Sequence, residues 1–430
     1  MRNPSPAPRD GSGYGRPMAQ TIRPIKAAEL EAWFEAFGTA FYIWPTDPQA
    51  AAEFRRPTID YDRTIGAFEG DAIVGTLRSF PTMLTLPGGT RVAVNAVSGV
   101  SVRPTHRRRG TLSRMIAHDA ATAVDRGDVA SILIASEWPI YGRFGYGPAT
   151  WRSNWTLRTR SMSFGLEPVG TVEIVSPAGA RKLLPGIYAE YAAAQPGEID
   201  RPDHRWEFDL GLVEWPGRPR WRGQVAIHRD EAGVPDGFAR FHGEENWGDG
   251  GMPDHVMVID ELHGVTNAAE IDLWRFLAQM DLTAAIKAEN RRVLEPLSWY
   301  VADARAARPS GQADFLWVRP LDVPALLAGR GYDRDATLVV EVTDVVDGRP
   351  GPAAGRYRLE VRDGTATCEQ TKAEPELILE ARQLGAASLG GTSLIDAARG
   401  AGAREHRAGA LREADLLFRT TDPPWCSTWF

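Results

Sequence analysis

The sequence predicts an α+β protein in which one order of strands and helix occurs twice and is followed by a domain of different composition. Residues 63–135 have the pattern of three strands, a helix and a strand. The same order returns more faintly after residue 224, and a third composition begins near Phe315. At 430 residues the chain is too long for one compact core, which agrees with two or three domains.

The first pattern is built from local signals. From Ile22 the pattern is helix-like through Leu30, Trp33, Phe34 and Phe37, whose spacing by three and four residues predicts a helix. Strand-like runs at 63–68, 72–86 and 91–102 are separated by the turns "EGD" and "PGG" and predict an antiparallel meander. An amphipathic helix should follow Gly110 and end at Gly127, and 129–135 should be a buried strand.

The second and third patterns are less regular. Residues 224–228 and 238–241 predict a hairpin, 255–262 a strand, and the spacing of Ile271, Trp274, Leu277 and Met280 a helix. In the third part we expect strands at 337–342, 357–361 and 377–379 and helices after Arg382, as in a separate α+β domain. The chain ends in "PPWCSTWF", and this aromatic ending predicts a docked terminus.

Composition narrows the class of protein. The chain is 43% hydrophobic and 24% charged with a net charge of −7, which is typical of a globular protein and argues against general nucleic-acid binding. No stretch reaches the roughly 20 apolar residues of a membrane span. Cys368 and Cys426 form neither a disulfide framework nor a metal motif, which favours the cytoplasm. Residues 1–20 are rich in Pro, Gly and Ser and predict a disordered tail, with Met18 as an alternative start.

A cluster of arginines stands between the third strand and the helix of the first pattern. Residues 103–115 read "RPTHRRRGTLSRM". Backbone N–H groups in such a loop, together with the helix N-terminus, bind an anion. Arg107 and Arg108 would add bidentate contacts, and Gly110 would let the backbone approach the ligand. The alternative is a solvated helix start. Since P-loop and GxGxxG motifs are absent, the pyrophosphate of coenzyme A is the best candidate ligand.

Two segments resemble a known family. Residues 97–113, "VSGVSVRPTHRRRGTLS", and 135–150, "ASEWPIYGRFGYGPAT", resemble the Eis (enhanced intracellular survival) branch of the GNAT N-acetyltransferases. The resemblance implies a GNAT domain at 21–155 that binds acetyl-CoA and a degenerate GNAT domain at 156–310 without cofactor. It also implies a sterol-carrier-like domain at 311–430 and a homohexamer. The second pattern has "GVTNAAEI" in place of the arginine cluster, which agrees with a degenerate repeat.

The resemblance also assigns roles to residues of this chain. It implies that Tyr141 is the general acid and that the α-carboxylate of the last residue, Phe430, is the general base. It implies contacts with the cofactor for a strand that pairs with the pantetheine arm, a loop that wraps the pyrophosphate, and two residues on the far side. These are Val100, Ser101 and Val102; Arg107, Arg108, Arg109, Gly110, Thr111, Leu112 and Ser113; and Ser136 and Glu137.

General chemistry requires the same roles. An amine is mostly ammonium at pH 7, so a base must take its proton, and a tyrosine in contact with the departing thiolate can protonate it. Alternatives stay open for each residue. Tyr141 could be an aromatic residue that only packs in the core, and Tyr146 competes with it for the role of acid. Phe430 could be an apolar chain end packed on its own domain, and its carboxyl would act as a base only if desolvation raised its pKa or a water relayed the proton. His106 is more suited to capping or positioning the loop.

The acceptor site is less well marked. In the family an acidic side chain near the end of the first helix helps to hold polycationic substrates, whereas Phe41 stands at the corresponding place here. Glu35 or Asp47 could substitute for it. The aromatic residues of the same stretch are more often core than pocket, and these are Trp33, Phe37, Tyr42 and Trp44.

The sequence therefore predicts an acetyl-CoA-dependent N-acetyltransferase that acts on small-molecule amines of the aminoglycoside type or on lysine side chains. Direct attack is expected because no Cys or Ser nucleophile is evident. The alternative function is a catalytically inactive CoA-binding sensor or scaffold. Binding of nucleic acid through the arginines is disfavoured because no basic or aromatic stripe extends the cluster. No metal site and no membrane partner are expected.

Overall fold

The computed structural model describes residues 19–41, 47–346, 348–400 and 402–430. The chain divides into two compact units, the first formed by residues up to 78 with 99–115 and the second by 79–98 with 116–430. Most of the expected N-terminal tail, including Met18, lies outside the described residues, as do Tyr42 and Trp44.

The first unit contains a small antiparallel sheet and two helices. Its strands are hydrogen-bonded in the order β1-β2-β3-β4, and β3, β4 and α3 continue into the second unit. The predicted face of the first helix is confirmed, since Trp33 is buried and its indole N–H donates to the carbonyl of Ile65 at 2.9 Å. The predicted start at Ile22 is wrong, because Ile22 lies in β1, where it pairs with Ala67, and α1 begins at Leu30. The elements are β1 Thr21–Pro24, α1 Leu30–Phe41, α2 Pro48–Arg55, β2 Thr64–Glu69, β3 Ala72–Thr85, β4 Arg91–Val102 and α3 Thr111–Asp125.

The second unit begins with a parallel crossover. The strand after α3 is β5 Ala130–Ile134, and it pairs in parallel with residues Val94–Ala96 of β4. It is followed by α4 Trp138–Tyr141 and the short β6 Gly147–Pro148. The predicted stop of the preceding helix is confirmed, because Gly127 has a positive φ of 78° just after α3 ends.

A second sheet repeats this crossover. Its strand order is β13-β7-β12-β11-β10-β9-β8, and β11, α7 and β12 form a parallel unit like β4, α3 and β5. The predicted hairpin, strand and helix after residue 224 are therefore confirmed. The elements are β7 Trp151–Arg158, β8 Thr171–Val175, α5 Pro177–Ala194, α6 Asp203–Asp209, β9 Gln224–Arg229, β10 Pro235–Glu244, β11 His255–Gly264, α7 Asn267–Ala278, β12 Thr283–Arg291, α8 Leu297–Tyr300 and β13 Ala307–Asp314.

The last part of the chain forms a sheet of order β19-β18-β15-β20-β21 with helices packed on it. Its first strand, β14 Leu316–Pro320, does not join that sheet and instead lies between β5 and β6. The domain boundaries stay predictions. Because β14 follows residue 310 in the chain but belongs to the same sheet as β5 and β6, dividing the chain near residue 310 would not separate the sheets. The remaining elements are α9 Val323–Gly329, β15 Ala336–Thr343, β16 Val345–Val346, β17 Arg349–Pro350, β18 Gly355–Arg362, β19 Thr365–Gln370, β20 Leu377–Glu380, α10 Ala381–Ala387, α11 Leu394–Arg399, β21 Arg404–Glu405 and α12 Ala410–Phe418.

Close packing of α10 on β14 gives a stability prediction. A Cβ at Gly385 in α10 would stand 2.1 Å from the carbonyl oxygen of Val318 in β14. We expect Gly385→Ala to lower the free energy of unfolding by about 2 kcal/mol, because helix and strand must move apart. The control is Gly186→Ala in the exposed part of α5, where no atom lies within 4 Å, and it should stabilise by up to about 1 kcal/mol. Thermal unfolding of both variants tests this, and equal melting temperatures would contradict it.

Candidate active site

The arginine loop is fixed at its start. Just beyond β4, the Arg103 N–H donates to the carbonyl of Val74 at 2.9 Å, and a single 3₁₀ turn follows at Pro104–His106. The carboxylate of Glu69 lies 3.2 Å from Nε2 of His106 and 3.8 Å from Nη1 of Arg109. His106 therefore positions the loop, in agreement with the sequence, and Glu69 is a partner that the sequence did not reveal.

The middle of the loop turns its backbone sharply. Arg108 has a φ of 63° and Gly110 a φ of 73°, and such left-handed residues leave successive N–H groups free to face an anion. The Arg107 and Arg108 side chains are exposed and have no ion pair with any described residue. By contrast, Arg109 Nη2 also donates to the carbonyl of Thr105 at 3.0 Å. Arg107 and Arg108 are thus available to a ligand, whereas Arg109 is held by the protein.

The loop ends at the N-terminus of α3. Thr111 is buried, and its hydroxyl donates to the side-chain oxygen of Gln20 at 2.7 Å. The next two residues of the predicted cradle, Leu112 and Ser113, are half-buried in the first turn. Because α3 has 15 residues, its N-terminus adds a favourable field for a phosphate.

The end of β4 offers the predicted backbone platform. Ser101 is buried, and its hydroxyl lies 2.7 Å from that of Thr76, which also donates to the carbonyl of Gly99. Val100 and Val102 are half-buried on either side of it. Nearer the start of β4, its parallel pairing with β5 stops at Ala96.

Two tyrosines follow β5, and their surroundings differ. Tyr146 is 1% exposed, its hydroxyl lies 2.8 Å from that of Ser131, and burial raises its pKa. Tyr141 ends α4, and its ring centroid stands 6.1 Å from that of Tyr146. Its hydroxyl has no hydrogen bond to the described part of the chain. Burial, and then the charge of Glu137, raise the pKa of Tyr141 to about 12.

Two more predicted cofactor contacts precede Tyr141. Ser136 and Glu137 lie between β5 and α4, and both side chains are exposed. Glu137 is the residue just before α4, and its carboxylate makes no capping hydrogen bond there. Both residues are therefore open to a ligand.

The C-terminus is docked, as the sequence predicts. Trp425 and Cys426 are buried, and Phe430 packs on the apolar cluster that contains Ile132 of β5. The rings of Phe430 and Phe80 meet edge to face with their centroids 5.5 Å apart. The last residue is thus held beside the strand that leads to Tyr141.

The acceptor candidates differ in availability. Phe41 at the end of α1 is exposed, with its ring 4.7 Å from that of Phe37. Asp47 caps α2 by accepting from the N–H of Ala50 at 2.9 Å. The Glu35 side chain is exposed and has no ion pair within the described chain. Glu35 is therefore the more available of the two carboxylates.

Two classes of site are not observed. Within residues 19–41, 47–346, 348–400 and 402–430, no helix has both the length and the apolar character needed to cross a bilayer. Over the same residues, no group of three or more metal-binding side chains converges.

The loop geometry predicts a specific effect on cofactor affinity. Arg108→Gly removes a guanidinium without straining the left-handed backbone, and it should raise KM for acetyl-CoA about tenfold while kcat stays within about twofold. Acetyl-pantetheine, which lacks the pyrophosphate, is the control, because its kcat/KM should be the same in both proteins. An equal loss with both thioesters would show that Arg108 does not contact the pyrophosphate.

Comparison with known proteins agrees with this architecture. Residues 21–149 and 197–320 each match a model of the GNAT acetyltransferase domain, and 323–427 match a sterol carrier protein domain. The chain is 37% identical over 422 residues to an uncharacterized N-acetyltransferase of Streptomyces avermitilis, covering 96% of this chain and 100% of that protein.

Two further similarities are to proteins named Eis. The N-acetyltransferase Eis of Mycobacterium tuberculosis is 32% identical over 365 residues, covering 83% of this chain and 86% of that protein. The crystal structure of Eis1 from Mycobacterium abscessus aligns with a TM-score of 0.83 at 28% identity, covering 95% of this chain and 100% of that one. The expected plan of two GNAT domains followed by a sterol-carrier-like domain is confirmed, and acetyl-CoA is the co-substrate of such an enzyme. The chain belongs to the Eis family of GNAT N-acetyltransferases.

Proposed function

We propose that this N-acetyltransferase moves the acetyl group of acetyl-CoA to primary amines, either those of aminoglycoside-type molecules or the side chain of lysine, by direct attack. The observation that carries the proposal is the contrast between the two tyrosines after β5. The hydroxyl of Tyr146 is hydrogen-bonded to that of Ser131, whereas the hydroxyl of Tyr141 has no hydrogen bond to any described residue. A proton donor of this kind is what the departing thiolate requires.

The cofactor is held by the arginine loop and the end of β4. Arg107, Arg108 and the N–H groups up to Ser113 bind the pyrophosphate, while Arg109 stabilises the loop through Glu69. The backbone of Val100–Val102 pairs with the pantetheine arm, and one of its N–H groups stabilises the oxyanion. Ser136 and Glu137 contact the other side of the cofactor. No charge of the loop takes part in proton transfer.

The α-carboxylate of Phe430 acts as the general base. It takes a proton from the substrate ammonium, directly or through a water, and the free amine then attacks the thioester carbon. The docking of the Phe430 ring on the cluster near β5 supports this role, since it fixes the carboxylate. Lysine and aminoglycoside-type acceptors are both cationic, so the exposed carboxylate of Glu35 contributes electrostatic attraction.

Tyr141 acts as the general acid. As the carbon–sulfur bond breaks, the thiolate, with a solution pKa near 8.5, receives the proton of the Tyr141 hydroxyl. Because its pKa is raised to about 12, Tyr141 is fully protonated at neutral pH and is a hydrogen-bond donor throughout the attack. As the amide forms, its nitrogen loses a second proton to solvent, and the tyrosinate is reprotonated from solvent. With the first proton also passed from the Phe430 carboxylate to solvent, the reaction releases one proton in all.

Release of CoA thiol tests the proposal. The protein is mixed with acetyl-CoA and either kanamycin or a lysine-containing peptide, and free thiol and acetylated product are measured. We expect release that depends on the amine and one acetylated product per thiol. If CoA binds but neither amine class causes release, the proposed acceptors are wrong. The proposed cytoplasmic homohexamer is tested separately, by cell fractionation and by light scattering of the purified protein.

A further inference from the structure

In the second GNAT domain, as in the first, the parallel pairing of the two strands joined by the crossover helix stops before the strands end. Strands β11 and β12 are paired in parallel only as far as Ile259 and Ala288. Beyond that point β11 pairs only with β10, and Arg291 of β12 pairs with Ser153 of β7. The facing edges of the two strands therefore diverge, leaving unpaired backbone between them.

The chain's own end lines this cleft. A cavity of about 190 Å³ lies there, and its lining includes Glu261, His263 and Asn290 together with Trp425, Ser427 and Trp429 of the terminal segment, residues 424–430. The side-chain amide of Asn290 donates to the carbonyl of Ser427 at 3.0 Å. The Arg291 guanidinium stands 5.0 Å from the ring centroid of Trp425. The terminal segment thus takes the place that a cofactor arm has in a functional GNAT cleft.

The N-terminus of α7, the helix that connects β11 to β12, is also occupied by side chains of the protein itself. Glu270, in the first turn of α7, is buried, and its carboxylate binds Nη2 of Arg291 at 3.0 Å. Arg292 pairs with the same carboxylate. The carboxyl group of Glu270 therefore stands with two arginines at the helix N-terminus, where the first GNAT domain has an arginine loop for a phosphate.

Arg201 is the main anchor of the terminal segment. Its Nε donates to the Thr428 hydroxyl and its Nη2 to the Ser427 hydroxyl, each at 2.8 Å. The side chain is 3% exposed, forms an ion pair with Glu261 of β11 and stacks 4.0 Å from the ring centroid of Tyr188. One guanidinium thus joins β11 to two consecutive hydroxyls close to the last residue.

Two further contacts complete the anchoring. The backbone N–H of Ser427 donates to Glu198 at 2.6 Å, and Arg205 donates to the carbonyl of Trp429. Charge-assisted hydrogen bonds such as these are short and directional, and they restrict the chain up to the penultimate residue.

We infer that the cleft between β11 and β12 is a binding site for the chain's own terminal segment, and that Arg201 is the positioning residue that sets where the Phe430 carboxylate stands. This inference rests on the proposed role of that carboxylate as the base. The degenerate GNAT domain then has a defined task, since its former cofactor cleft holds a part needed for the reaction at the other domain.

The test compares full-length variants by hydrogen exchange and kinetics. Arg201→Met removes the guanidinium that anchors the terminal segment. The double variant Ser427→Ala with Thr428→Val instead removes the two hydroxyls that accept from Arg201 and leaves the Arg201–Glu261 pair intact. The double variant therefore tests the inference even if Arg201→Met does not fold. Both should raise exchange of the amides in 424–430 about tenfold or more. Both should lower kcat about 10- to 100-fold and keep KM for acetyl-CoA within about twofold. Unchanged exchange in both variants overturns the inference.

The matched control is Arg330→Met, which removes another buried guanidinium. Arg330 stacks 4.6 Å from the ring centroid of Tyr332 and donates to the carbonyls of Ser388 and Phe418, but it contacts no described residue of the terminal segment. It should leave exchange and kcat unchanged. Faster exchange with unchanged kcat in the Arg201 variant also overturns the positioning role. If two alanines added after Phe430 still abolish turnover, the base proposal survives. If they do not, the base proposal fails too.

Discussion

Adding two alanines after Phe430 is expected to lower kcat about 100-fold or more, because the peptide bond removes the carboxylate that takes the ammonium proton. The terminal segment should stay docked, since its contacts with Arg201 and Asn290 involve residues before the last one. Initial rates with saturating acetyl-CoA and amine, together with exchange of the amides in 424–430, measure both effects.

The control keeps the carboxylate and changes the ring. Phe430→Leu removes the edge-to-face contact with Phe80 but leaves an α-carboxylate at the same place in the chain. It should keep kcat within about threefold, since the aromatic contact contributes only about 1 kcal/mol. If the extended protein is as active as wild type while its terminal segment stays protected from exchange, the base is another group.

Tyr141→Phe is expected to lower kcat about 100-fold with little change in KM for acetyl-CoA, because the departing thiolate loses its proton donor. The pH dependence gives a second signature. A raised pKa of about 12 keeps Tyr141 protonated, so kcat of the wild type should show no alkaline loss from this group below about pH 11. Rates measured from pH 6 to 10.5 in both proteins test this.

Tyr146→Phe is the matched variant for Tyr141→Phe. It removes the hydroxyl that lies 2.8 Å from that of Ser131, whose hydroxyl still donates to the carbonyl of Asn95 at 3.3 Å. Loss of this one hydrogen bond should lower the free energy of unfolding by about 1 kcal/mol. Turnover by the folded protein should change little. If Tyr146→Phe lost turnover and Tyr141→Phe kept it, the two roles would have to be exchanged.

The fold could be predicted where its signals are local. The alternation of 91–102 marks a strand with the bounds observed for β4, and the glycine at 127 marks the end of α3. The arginine loop was recognisable because strand, basic loop and helix follow each other directly in the sequence. Its dependence on Glu69 was not, since that residue lies on another strand and follows no motif.

The location of the terminal segment could not be predicted from the sequence. Its aromatic residues predict that it is docked, but its location depends on Arg201, which lies 226 residues before Ser427 in the chain. In the same way, the residues by themselves left Tyr146 as a competitor of Tyr141, and the family resemblance alone favoured Tyr141. The sequence does not show the difference between their surroundings, because Ser131 is buried beside Tyr146 by the packing of β5.

The placement of β14 has a consequence for how the protein is made. Leu316–Pro320 lies between β5 and β6, so the strands that lead to Tyr141 stay incomplete until the ribosome has synthesised residue 320. Until then β5 has an open edge, which is the kind of surface that recruits other strands and causes aggregation. A shortened gene that encodes only the first GNAT domain would yield that exposed state permanently. Expression of this enzyme therefore calls for the whole chain.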